Sequence, residues 1–517
     1  MRYLLQMLKS GMKLNSAGGA SWAVDDWQRM RRFLILGSEG GSYYSNERAL
    51  SMENAMSVIR CLEADGERAV AEIVEVSDSG RAAKNDPAVF ALALATTVPS
   101  AAAKAMDAIP RVCRTGTHLF NFVKAVRGCR GMGRALRRGI ARWYVDRSPE
   151  ELAYQLLKYR RRGNYNHRDV LRICHAVPPT PKHDALFRYA VRCKTPAAHK
   201  PGENLPDLVE AYERLRASSS AQEVVERIRA FPSLSWEMIP SSFLSHGSVW
   251  EALLPQLPMT ALLRNLGRMT ANGALREENV EAVCERLVDP RALAGSRLHP
   301  LSLLTALVAY RKGKSLGGLR WNPLPDVAEA LNQAFYLSFG HVLPTGKRTL
   351  LALDVSGSMA CPMKSLGGVS CRVASVAMTM VTARVERNFQ IAAFCSQMVP
   401  LSVSPRMTLP QVLAMTDKLS FGPTDCAAPI LWAARRGLKI DTFVVYTDNE
   451  TWSGHISPCR ALRDYRQKTG IPARLVVVGM VSNGFSIADP NDGGMMDVVG
   501  FDSAAPEAIS NFARCEF

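Results

Sequence analysis

Side chains that carry hard oxygen donors occur in three separate segments of the C-terminal third of the sequence. They are Asp354, Ser356, Ser358, Thr424 and Asp448. Small carboxylate and hydroxyl ligands from three loops leave room for water, which suits Mg²⁺ because it prefers octahedral oxygen coordination and stays partly hydrated. Mn²⁺ fits the same ligands. The spacing therefore predicts a Mg²⁺ or Mn²⁺ site. The alternative is that the two serines only cap a following helix.

The same segments argue against three classes of enzyme. A strand-end aspartate that accepts a phosphoryl group has a second carboxylate two residues on, and here that position is Ser356. The Gly-x-Ser-x-Gly elbow of serine hydrolases is absent, since Asp354 and Val355 precede the serine. A metal-dependent nuclease or phosphatase needs a second close carboxylate to organise paired ions, and the sequence offers none. His455 stands alone and predicts no general base. These residues therefore predict none of the three enzyme classes.

The elements that must position these ligands alternate between short apolar runs and helical stretches. The apolar runs are compact enough for buried parallel strands; they are Leu350–Leu353, Ile391–Phe394, Phe443–Tyr446 and Leu475–Val478. Helices are predicted near residues 368–387, 409–419, 427–437 and 457–469. The pattern predicts a doubly wound α/β domain over residues 346–517, in which ligands bind beyond the carboxyl ends of the strands. Asp354 and Asp448 each directly follow a predicted strand.

Residues 25–345 are dominated by helical periodicity, and residues 1–24 form an N-terminal segment. Ser148–Glu151 combines a capping serine, a proline at the first helical position and a glutamate three residues after the cap, so a helix begins there. Asn166–Asp169 predicts a second start, and Val177–Pro179 ends that helix. Repeated helix pairs with an apolar and a basic side predict an all-α solenoid, although the sequence shows no clean period.

Positive charge is concentrated in one part of this helical region. The chain carries a net charge of +17, and residues 101–200 alone hold 22 Lys+Arg against 6 Asp+Glu. Basic side chains recur at helical spacing on three predicted helices: Arg134, Arg138 and Arg142; Lys158 and Arg162; Arg168, Arg172 and His175. Such rows neutralise phosphates and release counterions, which predicts a nucleic-acid partner and salt-sensitive binding. The alternative for any single stripe is a solvated helix face.

The composition and the cysteines indicate a folded cytoplasmic protein. Apolar residues make up 47% and charged residues 21%, near the globular average. The twelve cysteines are scattered without a Cys-x-x-Cys pair, and no secretory leader is evident, so reduced thiols are expected. The most apolar run, Ala88–Ala103, contains Pro99 and is shorter than the ~20 residues that a membrane helix needs.

The combined pattern resembles the Ro autoantigen family of RNA-binding proteins. Their TROVE module is a ring of HEAT-like helical repeats closed by a von Willebrand factor A-like domain, and the resemblance covers Asp25 to Phe512. The segments that carry it are Arg31–Gly41, Leu262–Gly267, Pro344–Arg348, Thr447–Glu450 and Ser482–Pro490. Asp-x-Ser-x-Ser, a threonine loop and a later aspartate also resemble the metal-ion-dependent adhesion site of A domains. The resemblance implies that the five oxygen side chains hold the ion directly or through water, and that a partner's acidic group completes its shell.

For the helical part, the resemblance implies binding of small noncoding Y RNAs on the basic outer face. It also implies capture of the single-stranded 3′ ends of misfolded noncoding RNAs in the central hole, and bacterial relatives are associated with an exoribonuclease. Lys158, Arg162 and His175 fall on RNA-contacting positions, whereas Tyr165 departs from the polar residue of some relatives. A monomeric ring is expected. The alternative function is a metal-dependent adhesion scaffold that recruits an acidic partner through the A-like domain.

Overall fold

The computed structural model describes residues 12–15, 20–38, 46–82, 84–192, 204–296, 298, 300–315, 317–338, 344–363, 369–419, 422–448, 453–499 and 505–515. Several sequence predictions fall partly or wholly outside these residues. They are the end of the family segment Arg31–Gly41, the end of the Thr447–Glu450 segment, and one of the twelve cysteines, Cys193.

Helices form nearly all of the described chain before residue 340. They are α1 Asp26–Leu36, α2 Glu47–Ala64, α3 Gly66–Ser79, α4 Asp86–Ala95, α5 Pro99–Asp107, α6 Ile109–Val112, α7 Gly116–Cys129, α8 Arg134–Val145, α9 Pro149–Lys158, α10 His167–Cys174, α11 Pro181–Arg192, α12 Asp207–Arg216, α13 Ala221–Ala230, α14 Gly247–Leu253, α15 Met259–Ala271, α16 Glu277–Val288, α17 Pro290–Gly295, α18 Pro300–Arg311 and α19 Pro325–Leu337. The short strands of this region are β1 Lys13–Leu14, β2 Ala20–Ala23, β3 Arg161–Arg162 and β4 Tyr165–Asn166.

Each of these helices packs mainly against helices one to three positions away along the chain. This arrangement buries a continuous apolar core that no single helix pair could form alone, as in a solenoid. The predicted helical-repeat architecture is confirmed. None of the helices in the described ranges is both long and apolar enough to cross a membrane.

The helix predicted to carry both Lys158 and Arg162 is shorter than expected. It begins at the predicted capping box, in which Ser148 and Glu151 bond reciprocally, but it ends at Lys158. Arg162 lies instead in β3, which pairs with β4 across the turn Gly163–Asn164. Gly163 has a positive φ of 55°, a conformation that favours glycine and suits a two-residue hairpin turn. The expectation that Lys158 and Arg162 stack four apart on one helix is therefore wrong.

The C-terminal region is a doubly wound α/β domain, as predicted. Its strands are β5 Thr349–Asp354, β6 Pro362–Met363, β7 Val369–Ser370, β8 Phe389–Phe394, β9 Met398–Leu401, β10 Thr442–Thr447, β11 Arg474–Gly479, β12 Phe485–Ser486 and β13 Met495–Val499; its helices are α20 Cys371–Val385, α21 Leu409–Thr416, α22 Ala428–Arg435, α23 Pro458–Thr469 and α24 Ala505–Arg514. The main sheet has the order β13-β11-β10-β5-β8-β9, and only β9 pairs antiparallel. The two outer strands β9 and β13 were not predicted.

The first and last parts of the chain meet, which closes the helical array on the α/β domain. Strand β2 pairs with β12 of the C-terminal domain, with Phe485 opposite Ala23. Arg32 of α1 is 1% exposed, and its guanidinium donates to the carbonyl oxygens of Asn483 at 3.1 Å and Phe485 at 2.8 Å. It also forms an ion pair with Asp497 on β13. The helices and the α/β domain therefore form a closed ring.

Candidate nucleic-acid interface and metal site

The hairpin β3–β4 places two arginines on an exposed projection between α9 and α10. Arg161 and Arg162 are exposed along β3. Tyr165 pairs opposite Arg162 in the hairpin and is half-buried. Its hydroxyl accepts a hydrogen bond from Arg127 at 3.2 Å, at the end of α7. Tyr165 therefore holds the hairpin against α7, and its side chain adds a polar group to a surface of arginines.

Lys158, the last residue of α9, is mostly covered. Only 11% of its side chain is exposed, and its ammonium lies 3.6 Å from a carboxylate oxygen of Glu237. The ammonium also donates to the hydroxyl of Tyr154 at 2.9 Å and lies over the rings of Tyr154 and Tyr159. Burial lowers the pKa of Lys158, but these partners outweigh that effect and raise it, so the side chain stays charged.

Helix α10 carries the third predicted basic stripe. Its capping box at Asn166 and Asp169 is confirmed. Arg168 is half-buried, whereas Arg172 and His175 are exposed. His175 ends the helix in the left-handed conformation, with φ 51° and ψ 46°, which costs a residue other than glycine about 1 kcal/mol. This geometry fixes the direction in which its imidazole leaves the helix end.

An aromatic cluster anchors α10 against its neighbours. His167, the first residue of the helix, is buried with its ring against Phe120, Trp143 and Tyr144. Its Nδ1 lies 3.0 Å from the hydroxyl of Tyr144. Burial lowers the pKa of His167 to about 3, so the ring is neutral near pH 7. The charge of this region is therefore carried by the arginines and not by the buried histidine.

The stripe on α8 divides into two parts. Arg134 and Arg138 are exposed near the start of the helix. Arg142, one turn from its end, forms ion pairs with Asp107 at 2.7 Å and Asp146 at 3.4 Å. The second of these acids belongs to the loop that follows α8. Sequence periodicity places the three arginines in one stripe. Arg142 nevertheless differs from the other two, because folding brings Asp107 of α5 into an ion pair with it.

A further basic cleft combines residues from distant parts of the array. It measures about 570 Å³ and is lined by Lys84, Arg264, Arg268, Tyr310 and Trp321. Arg264 and Arg268 project from α15 four residues apart, and both are exposed. The indole of Trp321 stacks on Tyr310 and donates to its carbonyl at 2.9 Å. Sequence reasoning missed this cleft, although Arg264 lies within the family segment Leu262–Gly267.

Gly267 explains why the cleft has an aromatic wall. A Cβ atom at this position would approach the Trp321 ring to 2.7 Å, which is closer than real Cβ contacts. The absence of a side chain therefore lets the indole pack directly on α15. Lys84, which precedes Arg264 by 180 residues, also lines this cleft.

The five predicted metal ligands lie at the carboxyl edge of the main sheet. Asp354 ends β5 and Asp448 follows the adjacent parallel strand β10, which places the two carboxylates on neighbouring strand ends. Asp354 accepts hydrogen bonds from the backbone N–H of Ser356 and from the hydroxyl of Thr447, both at 2.8 Å. All five predicted ligands are buried, and the threonine loop is linked to β10 by a 3.8 Å contact between Cys426 Sγ and Thr447 Oγ1.

The serines do not act as the helix cap that was the alternative reading. Ser356 precedes a short 3₁₀ turn, Gly357–Ala360, and its side chain makes no capping bond to it. Its hydroxyl lies instead 3.1 Å from that of Ser358. Two hydroxyls and two carboxylates thus face one region, which is the donor set that a hard divalent cation requires. Among the described residues there is no group of three or more His, Cys, Asp or Glu with metal-binding geometry, so the predicted site depends on its hydroxyls.

Electrostatics at this edge favour a bound positive charge. Burial and the neighbouring carboxylate of Asp448 raise the pKa of Asp354 to about 7. Between its ordinary pKa and about 7, the folded protein therefore binds a proton that the unfolded chain has lost, and its stability without an ion falls as the pH rises. A cation in place of that proton would offset the repulsion between the two carboxylates.

Mg²⁺ is expected to stabilise the protein, and the Asp354→Ala variant is expected to lose that effect. A ligand at about 100 times its Kd adds about 2.7 kcal/mol to the free energy of unfolding. The increase in Tm on adding Mg²⁺ should be larger above pH 7 than below it, because the ion must displace the proton on Asp354. Differential scanning fluorimetry with Mg²⁺, Mn²⁺ and K⁺ measures this. An equal shift in wild type and Asp354→Ala would contradict the site.

Asn483 connects the carboxyl edge of the main sheet to the helical array. Asn483 donates from its side-chain amide to the backbone oxygen of Asp448 at 2.8 Å. Its own carbonyl accepts the bond from Arg32, and the adjacent Ser482 donates to the carbonyl of Gly37 at 2.6 Å. The closure of the ring and the position of Asp448 therefore depend on the same loop.

A closed array of helices joined to an α/β domain with an oxygen-lined carboxyl edge defines the class of TROVE proteins with an A-like domain. The chain matches the TROVE domain family over residues 13–314 and the Ro60 vWA domain family over residues 348–513. The predicted boundaries at residues 24 and 345 stay predictions.

Similar proteins cover nearly the whole chain. RNA-binding protein RO60 of Caenorhabditis elegans is 35% identical over 98% of this chain and 91% of its own length. RNA-binding protein RO60 of Deinococcus radiodurans is 39% identical over 97% of this chain and 95% of its own. The crystal structure of the Deinococcus radiodurans RO (RSR) protein has a TM-score of 0.71, with 38% identity over 95% of this chain and all of that one. The chain belongs to the Ro60 family.

Proposed function

We propose that this protein binds RNA as a ribonucleoprotein component. The observation that carries the proposal is the arginine-bearing hairpin β3–β4, which leads directly into α10 with its exposed Arg172 and His175, in the most basic fifth of the chain. Flexible, exposed guanidinium groups neutralise phosphates with little desolvation cost. The relatives named RNA-binding protein RO60 support the same function.

Within this proposal, two kinds of RNA bind at two different places on the ring. Small noncoding Y-like RNAs bind the basic outer face that includes Lys158, Arg162, Arg168, Arg172 and His175. Misfolded structured RNAs insert a single-stranded 3′ end inside the ring. The protein acts in the cytoplasm as a monomeric ring, in RNA quality control together with an exoribonuclease, and has no catalytic role of its own.

The cleft beside α15 is the part of the array whose chemistry suits a single-stranded end. Arg264, Arg268 and Lys84 supply cations for phosphates. Trp321 is half-buried and is backed by the ring of the buried Tyr310. Its indole supplies an aromatic ring of the kind on which unpaired bases stack, an interaction worth about 1–3 kcal/mol per base. A cleft of about 570 Å³ that combines cations with an aromatic wall suits unpaired nucleotides, whose bases are free to stack.

The Arg264→Ala/Arg268→Ala variant is expected to bind a hairpin RNA with a single-stranded 3′ tail about tenfold more weakly than wild type, because two phosphate contacts are lost. The same hairpin without its tail should bind both proteins equally. Fluorescence anisotropy with the two labelled RNAs measures the difference. Arg227→Ala/Arg229→Ala on α13 is the matched control. Loss of affinity for both RNAs alike would contradict a tail-specific cleft.

A metal-dependent adhesion function is a second candidate, carried by the buried oxygen ligands at the carboxyl edge. An ion held by Asp354, Ser356, Ser358, Thr424 and Asp448 would leave a coordination position for an acidic group of a protein partner. Capture of such a partner would require Mg²⁺ or Mn²⁺ and would be lost in Asp354→Ala. Capture of the same partner in the presence of a metal chelator would count against this function.

A further inference from the structure

The amino edge of the main sheet in the A-like domain carries a row of basic side chains. Strands β5, β8, β10 and β11 are parallel, so the residues that precede them lie at one edge. Strand β9 is antiparallel, and its following loop returns to that same edge. The basic residues of these segments are Lys347, Arg348, Arg387, Arg406, Arg435, Arg436, Lys439, Lys468 and Arg474.

Backbone hydrogen bonds fix the order of these segments across the edge. Thr349 donates to the carbonyl of Asn388 at 2.8 Å, Asp441 donates to that of Arg348 at 2.9 Å, and Arg474 donates to that of Asp441 at 2.9 Å. The basic residues therefore follow one another across the sheet in strand order. Neighbouring strands are about 4.8 Å apart, so five strands span about 20 Å. The side chains form a row and not a single cluster.

Acidic residues do not cancel this row. Segments 344–348, 386–388, 402–408, 435–441 and 468–474, all of them described, contain two acids. Glu386 is buried and accepts hydrogen bonds from the N–H and hydroxyl of Thr345. Asp441 is bound by Arg348 through two side-chain bonds of 2.6 and 2.9 Å. Residues 346–517 hold 17 Lys+Arg against 14 Asp+Glu, a net charge of only +3. This low value conceals a separation, since Asp354 and Asp448 lie at the carboxyl edge and the row of cations lies at the opposite edge.

Helix ends account for only part of the row. Arg435 lies in the last turn of α22 and Lys468 in the last turn of α23, where cations interact favourably with the helix dipole. Arg387, Arg406 and Lys439 lie outside the helices, are exposed, and form no ion pair among the described residues. Helix capping therefore leaves three exposed charges without a structural role.

The chemistry of the row favours a polyphosphate chain over other anionic partners. A membrane surface or a protein interface would require apolar side chains among the charges. The exposed large apolar residues of the described chain are Leu14, Met52, Met56, Val177, Val308, Leu319, Leu337 and Val399, and none lies in these segments. Regularly spaced cations without apolar neighbours match the backbone of a nucleic acid.

We propose that the amino edge of the A-like sheet is a second RNA-contacting surface, which holds the phosphate backbone of an RNA already bound to the helical array. The inference rests on the proposed RNA-binding function and extends it to a domain to which only an ion site had been assigned. It requires no metal, because the edge lies at the opposite end of the strands from Asp354 and Asp448.

The test compares two variants that remove equal charge from the same domain. Arg387→Gln/Arg406→Gln/Lys439→Gln alters the edge, and Lys418→Gln/Arg460→Gln/Arg463→Gln alters exposed positions elsewhere. Affinity for a long structured RNA is measured by filter binding across a series of salt concentrations. The edge variant is expected to bind about tenfold more weakly at low salt, and its salt slope should fall by about 2, since each single-strand phosphate contact contributes about 0.7. The control variant should match wild type.

Each outcome separates this inference from the proposed function. Wild-type binding together with equal affinity and salt slope in both variants would overturn the edge surface and leave RNA binding by the array intact. No binding by wild type would overturn the proposed function itself. Equal Tm values for the three proteins exclude unfolding as a cause. Crosslinking of bound RNA to peptides containing Lys439 or Arg387 in wild type would support the surface directly.

Discussion

Structured RNA is expected to bind about 100-fold more weakly to the Lys158→Ala/Arg162→Ala/His175→Ala variant than to wild type at low salt. Hydrogen bonds that involve a charged group contribute about 1.5–3 kcal/mol each, and a loss of 2.7 kcal/mol already corresponds to 100-fold. Arg162 and His175 are exposed and can reach phosphates directly. Their loss should also reduce the dependence of affinity on salt.

Lys158 contributes to that result by another route. Its ammonium lies against Glu237 and two tyrosine rings, with only 11% of the side chain exposed. Removing it leaves the carboxylate of Glu237 without its cation beneath a surface that must attract phosphates. The single variant Lys158→Ala should therefore weaken RNA binding, and Lys158→Ala/Glu237→Gln should recover part of the loss. If Lys158 contacts RNA directly, the second substitution will restore nothing.

Isothermal titration calorimetry of the triple variant and fluorescence anisotropy at two salt concentrations measure these effects. Arg214→Ala/His246→Ala/Arg276→Ala is the matched control. Like the triple variant it removes two cations and one histidine, with an arginine in place of the lysine, and its three positions are exposed and lie outside the predicted stripes. Equal affinity for structured RNA in wild type and in the Lys158→Ala/Arg162→Ala/His175→Ala variant would contradict RNA binding by the basic outer face.

The Arg32→Met variant is expected to lower the free energy of unfolding by about 3–5 kcal/mol, the usual cost of removing one partner from a buried ion pair. The guanidinium is 1% exposed, pairs with Asp497 and donates to two backbone carbonyls of the C-terminal domain. The substitution leaves those groups buried without their donor. The contact between α1 and the A-like domain should weaken most.

Arg60→Met provides the contrast. Its ion pair with Asp26 measures 2.6 Å, but both side chains are more than a third exposed. Solvent screening limits such a pair to about 1 kcal/mol or less. Urea denaturation of both variants measures the difference. The double variant Arg32→Met/Asp497→Leu should recover much of the stability, because replacing both partners removes the unpaired charge. Similar losses in Arg32→Met and Arg60→Met would show that Arg32 does not hold the ring closed.

Local signals in the sequence were sufficient for elements whose cause is local. The capping boxes at Ser148 and Asn166 are as predicted because each depends on residues three positions apart. The strands that precede Asp354 and Asp448 were predictable because both are continuous apolar runs buried on two faces. The proximity of Asp354 and Asp448 was predictable, since parallel strands bring their carboxyl ends to one edge. Their binding of an ion stays a prediction.

Features that depend on distant partners were not predictable in the same way. Periodicity placed Arg162 on a helix, whereas the Gly163–Asn164 turn places it in a hairpin. The Gly-Asn dipeptide was a usable signal, but strands of two residues carry no periodicity of their own.

The fold class, the family and the segment in which positive charge is concentrated could be predicted from the residues alone. These follow from spacing over a few residues and from composition, which folding does not change. Which of these charges are exposed depends on the folded chain. Folding covers Lys158 with Glu237 and buries Arg32 against Asp497. It also brings Lys84 to Arg264, and it gathers at one edge the cations that precede four parallel strands and follow β9. An ion pair or a cleft depends on distances in space, and residues far apart in the sequence come close to one another only when the chain folds and the ring closes.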